Sequence, residues 1–547
     1  MPRLCMPFLA GIASTLVVGV APALASDRYV APDGSGTACT AAAPCSVQPG
    51  VEEAAAGDNV YVTGDRGVYD LPEGVTVPED VHLYGVNGRP RLIVSGEDSV
   101  MFVRPGGSAE HVYLEAPPGY AAFGFNGGGG SANDVIAVAH DETACFFRGG
   151  VLTNSVCWAT GAGGTAVWGL GNLTNDSDEL RNVTAVAPDG IAVLVETRVE
   201  GVDSHTENMY LSNVIATGAN ADLQAKTDGT GSASMFTNHT NATGRATAGG
   251  GASITGGTGD QSQPPLFVDA ANGNFHEALG SPTIDHGLFA SDNGTRDFDG
   301  DFRKIGASTD IGVDERALPP AFTTGQASAL RNTAATLAGS VATGGSPTTY
   351  RFEFGTTTAY GGQTKAALVP PALPAAGAAG VTAAAGGLRP GTLYHYRLVG
   401  SNSLGGLFAG ADLTFTTTPF AGVGLGSKKS DVKKRKAHIA LSCPADAAAP
   451  CAGKIVLSVP AKQLRSAAKK KKKKKAKRAT IGKASFSIAA GQTATVAVKI
   501  SKKGLKRLAA GALTARASAQ AHDAFGDKKT TTGKVKLKLA KKKKTKG

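Results

Sequence analysis

Any chemistry in this chain would begin with its carboxylates. In Glu196-Thr-Arg198-Val-Glu200 the period of a strand puts Glu196, Arg198 and Glu200 on one face, with Asp203, His205 and Glu207 just beyond. Glycoside hydrolysis needs two carboxyls roughly 5–10 Å apart, which i, i+2 neighbours can supply. No lyase or hydrolase motif surrounds these residues, so the plainer expectation is a solvated face whose charges pair locally. Asp292-Asn293 and Asp297-Phe-Asp299-Gly-Asp301 cluster oxygens in the manner of a Ca²⁺ site. An EF-hand loop counted from Asp297 would need Gly at its sixth position and Glu at its twelfth, and has neither. Turn formation is the expected role. No residue is assigned as catalytic, cofactor-binding or metal-binding, and no cofactor is expected.

The cysteines carry a clearer signal. Cys5 lies in an N-terminal segment expected to be removed. The others fall into close pairs: Cys39 and Cys45, Cys145 and Cys157, Cys443 and Cys451. None has the CxxC spacing with nearby His that a metal site needs. An even count in an exported chain predicts three short-range disulfides.

Charge is divided. The net +11 is the sum of +31 over residues 421–547, from 35 Lys/Arg and 4 Asp/Glu, and −20 over residues 1–420. Lys469–Lys475, with Lys477 and Arg478, and the tail Lys541–Lys544 cannot fold on themselves, because like charges repel. Specific nucleic-acid recognition is not expected, since stacking aromatics and a reading motif are missing. Acidic polysaccharide, a cell-wall polymer or another anionic surface remains as the partner, with peripheral contact only.

The elements that would position these groups are β-strands. The chain has 547 residues, 73 of them Gly, and only 6% aromatic residues, a composition suited to turn-rich all-β structure. Arg3, the apolar run Phe8–Val20 and Ala23-Leu24-Ala25 read as a secretory signal, residues 1–25. A phrase then recurs at Asn133, Asn154, Asn182, Asn213 and weakly Asn238, at spacings of 21, 28, 31 and 25 residues. That range fits one coil of a solenoid. Asn tolerates a left-handed corner and can bond its counterpart in the next coil. Val135, Val156, Val183 and Val214 are expected to form one inward row.

Pro265–Glu315 contains Pro265-Leu-Phe-Val-Asp, Ser281-Pro-Thr-Ile-Asp-His-Gly, Asp297-Phe-Asp-Gly-Asp-Phe-Arg303 and Asp310-Ile-Gly-Val-Asp-Glu315. It resembles the closing segment of secreted right-handed parallel β-helix (pectin-lyase-like) proteins, with His286 and Val313 departing from the usual small residues. Gly57, Asp58, Val60, Val62, Gly67 and Tyr69 are similar to the opening of such helices, where a brief helix, here expected near Val51–Ala56, caps the first coil. The resemblance implies a right-handed parallel β-helix over 26–317. It also implies a sheet face where pectin-degrading relatives place carboxylates, and Glu196 to Glu200 is the nearest approach to that here.

Leu388-Arg-Pro-Gly-Thr-Leu-Tyr394-His-Tyr396-Arg resembles the corner of fibronectin type III domains, which implies such a sandwich over 318–419 and a tyrosine hydroxyl tied to the main chain. Residues 420–436 are expected as a basic linker, 437–540 as a small basic C-terminal β-sandwich with a Lys-rich loop, and 541–547 as a tail. The expected function is a secreted, extracellular or cell-surface monomer that binds carbohydrate or surface polymer without catalysis. The alternative is a polysaccharide lyase or glycoside hydrolase working in the β-helix groove.

Overall fold

The computed structural model describes residues 25–171, 176–198, 205–228, 230–372, 377–447, 449–464 and 478–540. The expected signal segment up to residue 24, Glu200, Asp203, Lys469–Lys475 and the tail 541–547 lie outside the described residues. The chain is all-β and divides into two compact units, residues 1–316 and 317–547.

The first unit is a parallel β-helix. Its strands form a twelve-stranded and an eight-stranded sheet in which every pairing is parallel. A short helix, Val47–Glu52, precedes the strand Asn59–Thr63 and lies slightly earlier than the sequence predicts. Long strands such as Gly130–His140, Gly150–Thr160 and Asp176–Ala187 bend at a single left-handed residue, so each serves two walls of the coil. That residue is His111, Asp134, Asn154, Asn182, Asn213 or His239 in successive coils, with φ between 48° and 58°. Asn133 and Asn238 of the recurring phrase therefore sit one position before the corner, which Asp134 and His239 occupy instead.

Asparagine side chains run between coils as a ladder. Asn154 Nδ2 donates to Asn133 Oδ1 (2.8 Å), Asn182 Nδ2 to Asn154 Oδ1 (3.0 Å) and Asn213 Nδ2 to Asn182 Oδ1 (3.0 Å). Immediately after the corner the inward row is Val112, Val135, Ser155, Val183 and Val214. Val156 is a correction to the expected row: it pairs with Ile136 and Thr184 on the opposite face. A strand's period of two lets a one-residue slip move a side chain from core to exterior. Ser155 is tolerated inside because its hydroxyl donates to Thr153 O (2.6 Å) and accepts from Val135 N (3.0 Å). Cys145–Cys157 closes within the core, and Cys39–Cys45 and Cys443–Cys451 are also joined.

Residues 265–315 do not extend the solenoid. They fold back across its outer face as a strap. Val156 and Val186 of the wall pack with Phe275 and Val313 of the strap, and Trp158 meets Phe275 edge-on at 5.5 Å. The ladder anchors it: Asn182 Nδ2 donates to Asn293 O (3.2 Å), Asn213 Nδ2 to Leu288 O (2.9 Å), and Leu288 N to Asn213 Oδ1 (2.6 Å). The same side chains that turn the coils hold the strap.

In the second unit, strands Ala321–Ser328, Ala334–Ala342 and Ala379–Gly386 form one sheet, and Thr348–Gly355 and Leu393–Ser401 centre another. This is the fibronectin type III-like sandwich. Tyr394 Oη accepts from Arg389 N at 2.9 Å, tying the corner to the main chain.

The C-terminal module pairs right round. Lys429–Lys433, Lys436–Ser442, Thr493–Ile500, Arg478–Ile488, Cys451–Pro460, Leu513–His522 and Lys528–Leu539 form a closed seven-stranded barrel, sealed by the parallel pairing of the first and last. Small inward residues Ala515, Ala517, Ala519 and Ala521 let so narrow a barrel fill. The expected linker 420–436 is thus part of the barrel, containing one of its strands and a hairpin turn.

Candidate functional site

Glu196, first among the predicted chemical residues, is buried on the outer side of strand Ile191–Arg198. Lys226 Nζ lies 2.7 Å from Oε1, and Arg198 donates to Oε2 from Nε at 3.1 Å. Arg198 also covers the Trp168 ring at 4.8 Å. A carboxylate held between two cations is an ion-pair element with neither oxygen left over for a substrate. Glu207 is fully buried on Thr206–Gly218.

The strap gathers the second set. Asp297 Oδ1 accepts from Asp299 N (3.0 Å) and Asp301 N (2.8 Å), and its Oδ2 accepts from Glu315 N (2.9 Å). Asp310 accepts from Asp285 N (2.6 Å) and Arg316 N (2.7 Å), and Glu315 from Ile305 N (2.9 Å) and Asp310 N (3.0 Å). These carboxylates stitch turns that have no regular hydrogen-bond ladder. Arg303 is buried among them, donating to Asn154 Oδ1 (2.7 Å) and to the carbonyls of Val313 (2.9 Å) and Gly312 (3.3 Å). Burial pushes Asp310 up to about 6, Asp314 to about 7 and Glu315 to about 9.

His276, Asp299 and Asp314 bring possible ligand atoms within 4.8 Å of one another. His276 bonds Asn274 Oδ1 through Nδ1 (2.6 Å) and Asp299 through Nε2. Burial alone would lower its pKa, but the Asp299 hydrogen bond and the surrounding carboxylates outweigh that and raise it to about 9. With oxygen acceptors beside both ring nitrogens, His276 is placed to pair with Asp299. The group is arranged as an ion pair.

Sequence reasoning missed a third cluster, on the wall beside the strap. Glu115 accepts from Arg91 (2.5 Å) and Tyr113 Oη (3.3 Å) and has His140 Nε2 at 3.6 Å. The four residues come from strands Arg91–Val94, Ser108–Glu115 and Gly130–His140, stacked in neighbouring coils. A cavity of about 130 Å³ adjoins them, lined by Tyr113, Val156, Trp158, Phe275, His276 and Phe298 among others. Burial would raise Glu115, but the Arg91 hydrogen bond and charge hold it below the usual range, while burial raises Tyr113. Glu115 is therefore ionised and committed to Arg91, and Tyr113 keeps its proton. Of the two, Tyr113 is the one with a proton to donate. The only sequence signal was the period-two placing of Tyr113 and Glu115 on one strand, which does not reveal that Arg91 and His140 adjoin them from neighbouring coils.

On the barrel the cations are outside. Lys436 lies directly opposite Lys499, Lys499 opposite Lys483, Arg516 opposite Lys534 and Lys429 opposite Lys536. Directly opposed like charges destabilise a sheet. Among the described residues, only Asp431 faces a cation across these barrel strands, at Lys538.

Three disulfides suggest an extracellular, oxidising environment. No helix among the described residues is long and apolar enough to cross a membrane. No family model and no curated protein matches the chain. Similar solved structures include the sensor domain of the anti-sigma factor RsgI4 of Pseudobacteroides cellulosolvens, at 18% identity over 18% of this chain and 90% of that one, with TM-score 0.15. A two-domain fibronectin type III segment of chicken tenascin is 12% identical over 40% of this chain and 99% of its own, with TM-score 0.21. Red sea bream transglutaminase is 10% identical over 40% and 32%, with TM-score 0.20.

Proposed function

We propose that this is a secreted or cell-surface protein that binds acidic polysaccharide or another anionic surface polymer without catalysis, acting as a monomer. The observation that carries the reading is the barrel's outer face, where lysine and arginine stand opposite one another on adjacent strands. Such pairs oppose folding unless an external anion relieves them. The solenoid, on the acidic side of the chain's charge division, takes no part in this adsorption. Adsorption to a wall polymer tests this. The full chain should bind, and lose binding steeply with salt, because screening shortens to about 8 Å at physiological ionic strength. A chain ending near Pro419 should not bind, whereas residues 421–547 should. Equal adsorption of the truncated body in moderate salt would overturn the reading.

One observation favours a second reading, a polysaccharide lyase or glycoside hydrolase: the Arg91, Tyr113, Glu115 and His140 cluster beside an aromatic-lined cavity. Assays on acidic polysaccharides, with Ca²⁺ and with chelator, decide it. Turnover abolished by Tyr113→Phe in a folded variant would establish catalysis there.

A further inference from the structure

Lys433-Lys434-Arg435-Lys436 forms the tip of a barrel hairpin. Lys433 pairs with Lys436, and the two residues between them, Lys434 and Arg435, hold left-handed φ angles of 46° and 63°. Two-residue hairpins with both central residues at positive φ take Asn-Gly or Asp-Gly, because a Cβ is strained there. Nothing in the turn itself rewards two long cationic side chains. Ile500 N donates to Arg435 O at 2.8 Å and fixes the tip against the barrel wall.

Lys436, Lys499 and Lys483 stand in one exposed row across three adjacent strands. Beside the row is a cleft of about 590 Å³ in which Arg435, Lys483, Lys499, Thr480 and Ser501 stand among apolar residues such as Ile481 and Ile500, with no carboxylate in the lining. Ser501 caps the helix Lys502–Ala509, whose first turn carries lysines and no acid, the reverse of what a helix start favours. Backbone strain and like-charge repulsion, two unrelated costs, meet at one cleft. Strain of this kind persists where it is part of a function.

We infer that this cleft binds a phosphate group of a phosphate-bearing surface polymer. A phosphodiester is tetrahedral at phosphorus, and its non-bridging oxygens accept hydrogen bonds from several sides. That geometry suits one guanidinium fork, two or three lysine point charges and the hydroxyls of Thr480 and Ser501 better than the planar acceptors of a carboxylate do. The inference rests on the proposed polymer binding and gives it a site and a ligand chemistry.

The test titrates the full chain with inorganic phosphate and with a soluble glycerol-phosphate oligomer at low salt. Arg435→Gly is the decisive variant, because glycine accepts the left-handed backbone. It should weaken both ligands about tenfold or more, while the barrel's own melting midpoint rises by about 2–4 °C. Lys483→Gln should weaken binding similarly, and deletion of Lys469–Lys475 should change phosphate affinity by less than about twofold. Undiminished binding by Arg435→Gly overturns the cleft, as does loss of phosphate binding on deleting the lysine run. Oligogalacturonate binding as tightly as the phosphate oligomer overturns the phosphate assignment. Binding to phosphatidylglycerol vesicles without binding to the oligomer overturns the polymer as its source. A full chain that adsorbs to no anionic polymer fails the broader reading, whereas adsorption that Arg435→Gly leaves intact fails this site alone.

Discussion

The strap of the first unit and the barrel of the second both carry many charges, and they differ in where the charge goes. The strap buries Glu277, Asp297, Asp310, Asp314 and Glu315 together with Arg303. The barrel exposes Lys436, Lys483 and Lys499. Buried Asp297, Asp310 and Glu315 are tolerable because main-chain N–H groups that no strand ladder uses are turned onto them, so each carboxyl helps specify a turn. Those three lysines sit on strands and shape no turn, and their field is left for a partner. Charge in the strap is structural, and charge in the barrel is available.

The largest expected effect tests the structural half. Arg303→Met leaves the surrounding carboxylates without their buried cation and should cost the strap about 3–5 kcal/mol. Hydrogen exchange should show amides in residues 297–315 losing protection, while the solenoid rows, held by nearest-neighbour stacking, keep theirs. Unchanged strap protection would break the comparison. Asn182→Ala comes next, at about 2–3 kcal/mol, since it puts a Cβ residue at φ 53° without a side-chain bond and cuts the ladder. Asn182→Gly keeps the corner and loses only the bonds, so it should cost less in denaturant melts. Equal costs would mean that the ladder, not the corner, sets the coil.

Proton linkage gives a third test. Asp310, Asp314 and Glu315 have raised folded values, so the native strap binds more protons than the unfolded chain from about pH 4 upward. His276, raised to about 9, adds to this above its unfolded value of 6.5. Both contributions are full at low pH and are lost as pH rises through the folded values. Strap protection, corrected for intrinsic exchange, should therefore fall by several kcal/mol between pH 5.5 and 8.5, and the barrel's should not. A strap that grows more stable over that range would show its carboxylates to be ionised. The smallest effect sharpens the other half. Lys499→Glu sets opposite charges between Lys436 and Lys483 and should stabilise the barrel by about 0.5–1 kcal/mol in low salt, read from its melting midpoint, while weakening polymer binding. A destabilised barrel would mean that the lysine row is not under repulsive load.

How much of this was legible in the sequence varied with range. The strand class was legible because a Gly-rich, aromatic-poor chain suits short strands joined by tight turns. The corner asparagines were legible within one residue, because few side chains adopt a left-handed φ. The disulfides were legible because their partners lie 6, 12 and 8 residues apart. Which of two adjacent residues faces the core was not. Val156 and Ser155 exchange roles through a register that depends on the neighbouring coils.

By itself, then, the sequence determined the strand class, the coil corners, the local cysteine pairs and the division of charge, all of which follow from neighbours along the chain. The tertiary structure alone decided that Arg303 reaches Asn154, that the strap lies along the wall, that Glu115 meets Arg91 and His140, and that Lys429–Lys433 closes a barrel with a strand ending at Leu539. Each of these joins segments more than 20 residues apart, most of them near or beyond 100. What pairs them is the backbone groups and apolar faces that each leaves unsatisfied after its local structure has formed, and no local pattern records that.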